Sequence, residues 1–164
     1  MSRRRLNCAI VGTKGFGPKW NDRVAEMAYL AGRVATECGF LVVTGGGSGV
    51  MEFAAKGAVE AGGDALGILP ADDFDWGNEW NTIVIPSTIG FARNVITAAS
   101  ADVMIALPGR FGTLQEVTFA IERQKPILSW DSWVFDGVDV FPDAHDCPEE
   151  FLRMWLMQHR AETD

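Results

Sequence analysis

Residues 41–52, LVVTGGGSGVME, and residues 103–116, VMIALPGRFGTLQE, follow one plan: an apolar β-type run, a glycine-rich turn, then a helix-forming run. A strand that turns at once into a helix leaves the first N–H groups of that helix without partners and aims them outward, where the helix dipole adds partial positive charge. Such a junction is a natural seat for a phosphate. Gly45, Gly46, Gly47 and Gly49 in the first turn, and Gly109 and Gly112 in the second, let an anion approach the main chain with no Cβ in its way. Ser48, Arg110, Phe111 and Thr113 complete the two turns as candidate phosphate ligands. Tight βα connections also use glycine. Three in succession at 45–47, however, cost backbone entropy that a mere connection does not require. The pair of turns predicts one phosphorylated ligand held between them.

The same alternation runs through the chain. Hydrophobic periodicity predicts strands over 6–11, 40–44, 65–69, 82–85, 102–107 and 126–129, and helices over 21–38, 49–61, 90–100 and 112–123. This order predicts an α/β fold, a Rossmann-like three-layer αβα arrangement around a mostly parallel sheet of about six or seven strands, with ligands beyond the carboxyl ends of the strands. The turn 12–18, GTKGFGP, ends the first strand and brings Lys14 to that edge. Residues 70–80 are acidic and aromatic and read as a surface loop able to cover a ligand, with Trp76 and Trp80 as packing anchors. From Pro148 onward, Phe151, Leu152, Trp155 and Leu156 form one apolar side of a helix that docks on the body or on a second copy.

The length of 164 residues and 48% hydrophobic content suit a single domain spanning 1–164, with 1–5 as a flexible, solvated tail carrying Arg3, Arg4 and Arg5. A net charge of -8 argues against nucleic-acid or anionic-membrane partners but permits a small anion in a local patch. No run approaches a membrane span and no signal-type segment follows Met1, so the expected location is cytoplasmic. Cys8, Cys38 and Cys147 are widely spaced and predict reduced thiols rather than disulfides or zinc, and His145 and His159 lack ligand spacing, so no metal site is expected.

The first turn places Val50 where a dinucleotide fingerprint needs its last glycine, and neither turn ends in the G-K-[ST] of a P-loop. Taken together, G-G-G-S-G-V-M-E, Gly67-Ile68-Leu69 before Pro70, Gly90-Phe91-Ala92-Arg93-Asn94 and P-G-R-F-G-T-L-Q-E resemble the LOG-like family, often mislabelled as lysine decarboxylases, over residues 6–128. The resemblance implies a Rossmann-like fold, a homodimer or higher homo-oligomer, no required cofactor, and cleavage of nucleoside 5'-monophosphates to free base and ribose 5-phosphate. Glu116 and Arg93 match that family's catalytic glutamate and arginine. A carboxylate is what an oxocarbenium-like ribosyl centre calls for, and a cation orients phosphate or sugar.

Three departures separate the chain from the hydrolase pattern: Arg110 replaces a glycine, Asn94 replaces a lysine, and a Met-His-Glu lead-in is missing. Arg110 adds a forked donor for phosphate while filling space. A short subgroup that the chain resembles more closely, through G-F-A-R-N, includes carriers of the pterin-based molybdenum cofactor. In that alternative the anion site stores its ligand and cleaves nothing. Lysine decarboxylation has no support, since no lysine stands in a setting for pyridoxal phosphate.

Overall fold

A computed structural model describes residues 4–142 and 146–163; Arg3 and His145, singled out above, lie outside these. β1 (Asn7–Val11), β2 (Leu41–Thr44), β3 (Ala65–Leu69), β4 (Ile83–Pro86), β5 (Val103–Ala106), β6 (Ile127–Ser129) and β7 (Asp139–Val140) alternate with α1 (Asp22–Glu37), α2 (Val50–Glu60), α3 (Arg93–Ser100), α4 (Phe111–Glu122) and, last, α5 (Pro148–Thr163). All strand pairs are parallel, in the order β4-β3-β2-β1-β5-β6-β7. The expected Rossmann-like αβα fold is therefore the observed one, with the sheet wholly parallel.

The pleat sorts the core into two layers. Cys8 and Ile10 of β1, with Val42 and Ile105, face α1, α2 and α5. Ala9 and Val11 face the other way, onto Ala98, Val117 and Ala120 of α3 and α4. Alternate residues of a strand point to opposite faces, so one short strand serves both cores. α1 begins on its own signal: Asn21 is extended, and its side-chain oxygen accepts from the Val24 N–H.

α5 docks on α1 of the same chain. Leu152 and Leu156 are fully buried, each contributing about 2 kcal/mol, and Arg33 bonds both Glu37 and Glu149. Arg4 and Arg5 are not a free tail. The Arg4 guanidinium forms a forked pair with Asp102 at 2.7 and 2.6 Å, and Arg5 donates to the Phe40 carbonyl. Burial works against the Asp102 charge, but the Arg4 and Asn7 hydrogen bonds outweigh it and hold the carboxyl below its usual range. A buried acid beside the first strand thus holds Arg4, while Arg5 is held by the Phe40 carbonyl and Asp64.

The chain builds β1 to β4 in one direction, then returns to the far side of β1 for β5. At that reversal the loops leaving β1 and β5 turn to opposite faces of the sheet, and a crevice opens beyond the strand ends. Among the described residues, no helix is long and apolar enough to cross a membrane.

Candidate ligand cleft at the strand ends

The crevice is a cleft of about 400 Å³. β1 contributes Gly12, Thr13 and Lys14 from its exit loop, α3 contributes Arg93 and Asn94, and α4 contributes Gly112, Thr113 and Glu116, with Arg110 at the rim. These elements converge because β1 and β5 are neighbours, and two main-chain bonds lock their exits together: Leu107 N–H to Val11 and Thr13 N–H to Pro108, both 2.9 Å.

α4 starts with no side-chain cap. Among the described residues, the N–H groups of Phe111, Gly112 and Thr113 have no acceptor, and the first capped amide is Leu114, bonded to the Arg110 carbonyl at 2.9 Å. Gly112 is exposed while Thr113 is buried. The end of the helix dipole therefore opens on the cleft with its donors free, beside the exposed cation Arg110.

On the floor, Arg93 and Glu116 are 3% and 7% exposed, a burial that neither charge tolerates without compensation. No ion-pair contact joins them directly among the described residues. Burial pushes the Glu116 carboxyl up to about 8, with Arg93 pulling the other way. Burial likewise lowers the Arg93 pKa, opposed by Glu116. The Arg93 Nε is buried without a hydrogen-bond partner, and its ring neighbour is Trp76, 6.0 Å from the guanidinium carbon to the ring centre. A buried cation and a buried acid thus share the floor of the cleft, each acted on by the other's charge but joined by no direct ion-pair contact among the described residues.

The first glycine turn does something else. The Gly46 N–H donates to Thr44 Oγ1 at 3.0 Å, the Gly47 N–H to the Met51 sulfur at 3.4 Å, and the Val50 N–H to the Thr13 carbonyl at 3.0 Å. Ser48 Oγ accepts from the Gly15 N–H. Asn78 and Asn81 reach back from the acidic loop to the Gly46 carbonyl, and Asn78 also to that of Gly47. Of this turn only Gly45 lines the cleft; Gly46, Gly47, Ser48 and Gly49 are not among its walls. Of the two turns expected to hold a ligand between them, the first thus reaches the cleft only through Gly45, because the protein's own acceptors take up the amides of Gly46, Gly47 and Val50.

Gly45 matters by absence. A Cβ there would collide with Arg93 Nη1, so the glycine is what lets the guanidinium lie across the strand end. Gly109 and Phe111 belong to an adjoining pocket rather than the main cleft. Asn94 lines the cleft and donates to Gln115 at 3.0 Å, tying α3 to α4.

Sequence reasoning missed an aromatic rim. Phe16 is 82% exposed and Phe91 61%, and the Lys14 ammonium lies 4.7 Å from the Phe91 ring centre and 5.9 Å from that of Phe16. Aromatic residues set in glycine-rich turns at strand carboxyl ends were the available signal. Trp76 packs over Gly47, as an anchor should, yet one face looks toward Arg93 and Lys14. Among the described residues no group of three His, Cys, Asp or Glu side chains is placed to hold a metal ion.

The model of the SLOG cluster4 family matches residues 6–151. The chain belongs to that LOG-like family. An uncharacterized protein of Archaeoglobus fulgidus is 36% identical over 141 residues, 85% of this chain and 89% of its own length. The cytokinin riboside 5'-monophosphate phosphoribohydrolase LOG5 of Arabidopsis thaliana is 34% identical over 120 residues, 71% of this chain; the family member described here spans 51% of LOG5. Among solved structures, the molybdenum cofactor carrier protein of Chlamydomonas reinhardtii superposes with a TM-score of 0.82 at 29% identity, over 96% of this chain and 99% of the carrier.

Proposed function

We propose that the protein, working in the cytoplasm as a homo-oligomer and needing no resident cofactor, holds a phosphorylated heterocyclic ester as a carrier, with the molybdenum cofactor as the class of cargo. The observation that carries this reading is the uncapped start of α4, where Gly112 and Thr113, whose amides are free, line the cleft together with Arg110 and Lys14. The phosphate rests on those amides, and the flat ring lies toward Phe16 and Phe91, whose exposed faces otherwise waste apolar area in water. Likeness to the Chlamydomonas carrier over nearly the full length of both chains supports storage. For assembly, the exposed Ile83, Ile85, Ile89 and Ile96 on the β4 and α3 flank offer a contact for a second copy.

A second reading rests on Glu116. A carboxyl pushed up to about 8 is a proton donor at neutral pH. In a phosphoribohydrolase it would protonate the departing base as the C1'–N bond breaks, water would add to C1', and the proton lost by that water would return to Glu116. Arg93 would orient the sugar or phosphate. The products are free base and ribose 5-phosphate.

Incubation with a panel of nucleoside 5'-monophosphates, with free base measured by chromatography, separates the two. The carrier reading expects no base release, together with retention of molybdenum cofactor freed from a molybdoenzyme and passed through gel filtration. Base release that Glu116→Gln abolishes would replace it with the hydrolase. Light scattering on the same column checks the oligomer, which a monomer at working concentration would refute.

A further inference from the structure

On the far side of the Gly109 to Phe111 segment lies a second pocket, of about 360 Å³, walled by Lys19, Arg110, Phe111, Asp131, Ser132 and Trp133. Arg110 lines both this pocket and the main cleft. The two spaces are thus neighbours across one residue, and that residue is a forked cation at the free end of a helix dipole.

Cations straddle this divide. Lys14 lies on the cleft side, Lys19 on the pocket side and Arg110 on both. Among the described residues none of the three is ion-paired, in a chain whose net charge is -8. The acid in the pocket, Asp131, is already paired with Arg23 at 2.5 Å. One phosphate monoester needs only one of these positions. The second pocket is also walled for a ring: Phe111 is 71% exposed, and Trp133 is fixed by its indole N–H, which donates to the Arg110 carbonyl at 3.3 Å. Asp131 sits at φ 53 at the pocket's edge, a left-handed conformation costly for a non-glycine residue and frequent where a binding surface is shaped.

From this adjacency we infer that the protein takes a pyrophosphate-linked ester with two rings, the first in the main cleft, the bridge across Arg110, and the second between Lys19, Phe111 and Trp133. This rests on the reading that a phosphate occupies the α4 N-terminus. It needs no dinucleotide fingerprint, because the bridge lies on α4 rather than on the first glycine turn.

Calorimetric titration of the full chain tests it, with inorganic phosphate, inorganic pyrophosphate, the common nucleoside 5'-monophosphates and the dinucleoside pyrophosphates of the same bases. At least one dinucleoside pyrophosphate should bind roughly tenfold more tightly than its own monophosphate. Lys19→Glu and Trp133→Phe should each remove much of that advantage and leave monophosphate affinity within about twofold. Dinucleotides no tighter than monophosphates, or an advantage that both variants retain, would overturn the inference while leaving the anion site standing. Failure of every compound to bind, inorganic phosphate included, would instead remove the anion site and the inference with it.

Discussion

Residues 45–49 and 109–113 leave neighbouring parts of one sheet, each runs from a strand into a helix, and each is built on glycine, yet they end in opposite states. In the first, Thr44 Oγ1, the Met51 sulfur and the Thr13 carbonyl take up the amides of Gly46, Gly47 and Val50, and two asparagines from a loop some thirty residues on cover its carbonyls. In the second, Arg110 gives no side-chain cap and three amides stay open. Glycine density reports close approach of something to the backbone. Whether that something is the protein or a ligand depends on where the nearest acceptors stand, and those are set by tertiary structure.

The contrast breaks most easily at Gly49. Its φ of 74 is left-handed, and a Cβ would overlap the backbone of residues 13–15. Gly49→Ala should cost about 3 kcal/mol, a fall in Tm on the order of 10 °C, read by thermal and urea unfolding. A stable Gly49→Ala protein that has lost phosphate binding would show that the first turn serves the ligand after all.

On the open side, Glu116 should act through pH. Its folded pKa, about 8, lies above the ordinary 4.5. The folded state therefore holds the proton more tightly, and stability present below pH 4.5 is lost as pH rises toward 8. Glu116→Gln carries no such proton and should flatten that slope, leaving the variant the more stable protein at pH 8. Urea midpoints collected from pH 4.5 to 8.5 measure the difference; parallel profiles would mean that Glu116 stays ionised through a partner in the cleft.

Thr44→Val sharpens the closed side. Removing Oγ1 leaves the buried Gly46 N–H without an acceptor, for about 1.5 kcal/mol of stability. Phosphate affinity, by calorimetry, should not move. A parallel loss of affinity would couple the two turns.

How much of this could be read in advance follows from the range of each interaction. The strands and most helices lie within a residue of their expected bounds, because burial on both faces writes continuous apolar runs into parallel strands; α3 starts three residues later than expected, at Arg93, after a 3-10 turn over Gly90–Ala92. β7 was missing from that reading: Asp139 and Val140 are both exposed and carry no alternation, and their place comes from pairing with Leu128 and Ser129. At the site, Lys14, Gly45, Arg93, Asn94, Arg110, Gly112, Thr113 and Glu116 do meet in one cleft, because all lie just beyond strand ends or on the first two turns of a helix. Nothing local in the sequence says that Thr44 answers Gly46 or that Asn78 and Asn81 fold back onto the first turn. The same is true of Arg4, whose partner Asp102 lies 98 residues further along the chain.

Gly112→Ala puts the open turn to the finest test. Gly112 has no left-handed φ, and the nearest atom to an added Cβ is Asn94 Nδ2 at 3.7 Å, an ordinary contact. Alanine is also the better helix former, so stability should change by less than about 0.5 kcal/mol. The new methyl stands among the free amides, however, where an oxyanion must come within about 3 Å of an N–H. Calorimetry should therefore find phosphate affinity reduced roughly tenfold in a protein that unfolds like wild type. An open turn predicts that separation of stability from binding, whereas a turn closed in the manner of residues 45–49 would lose stability first.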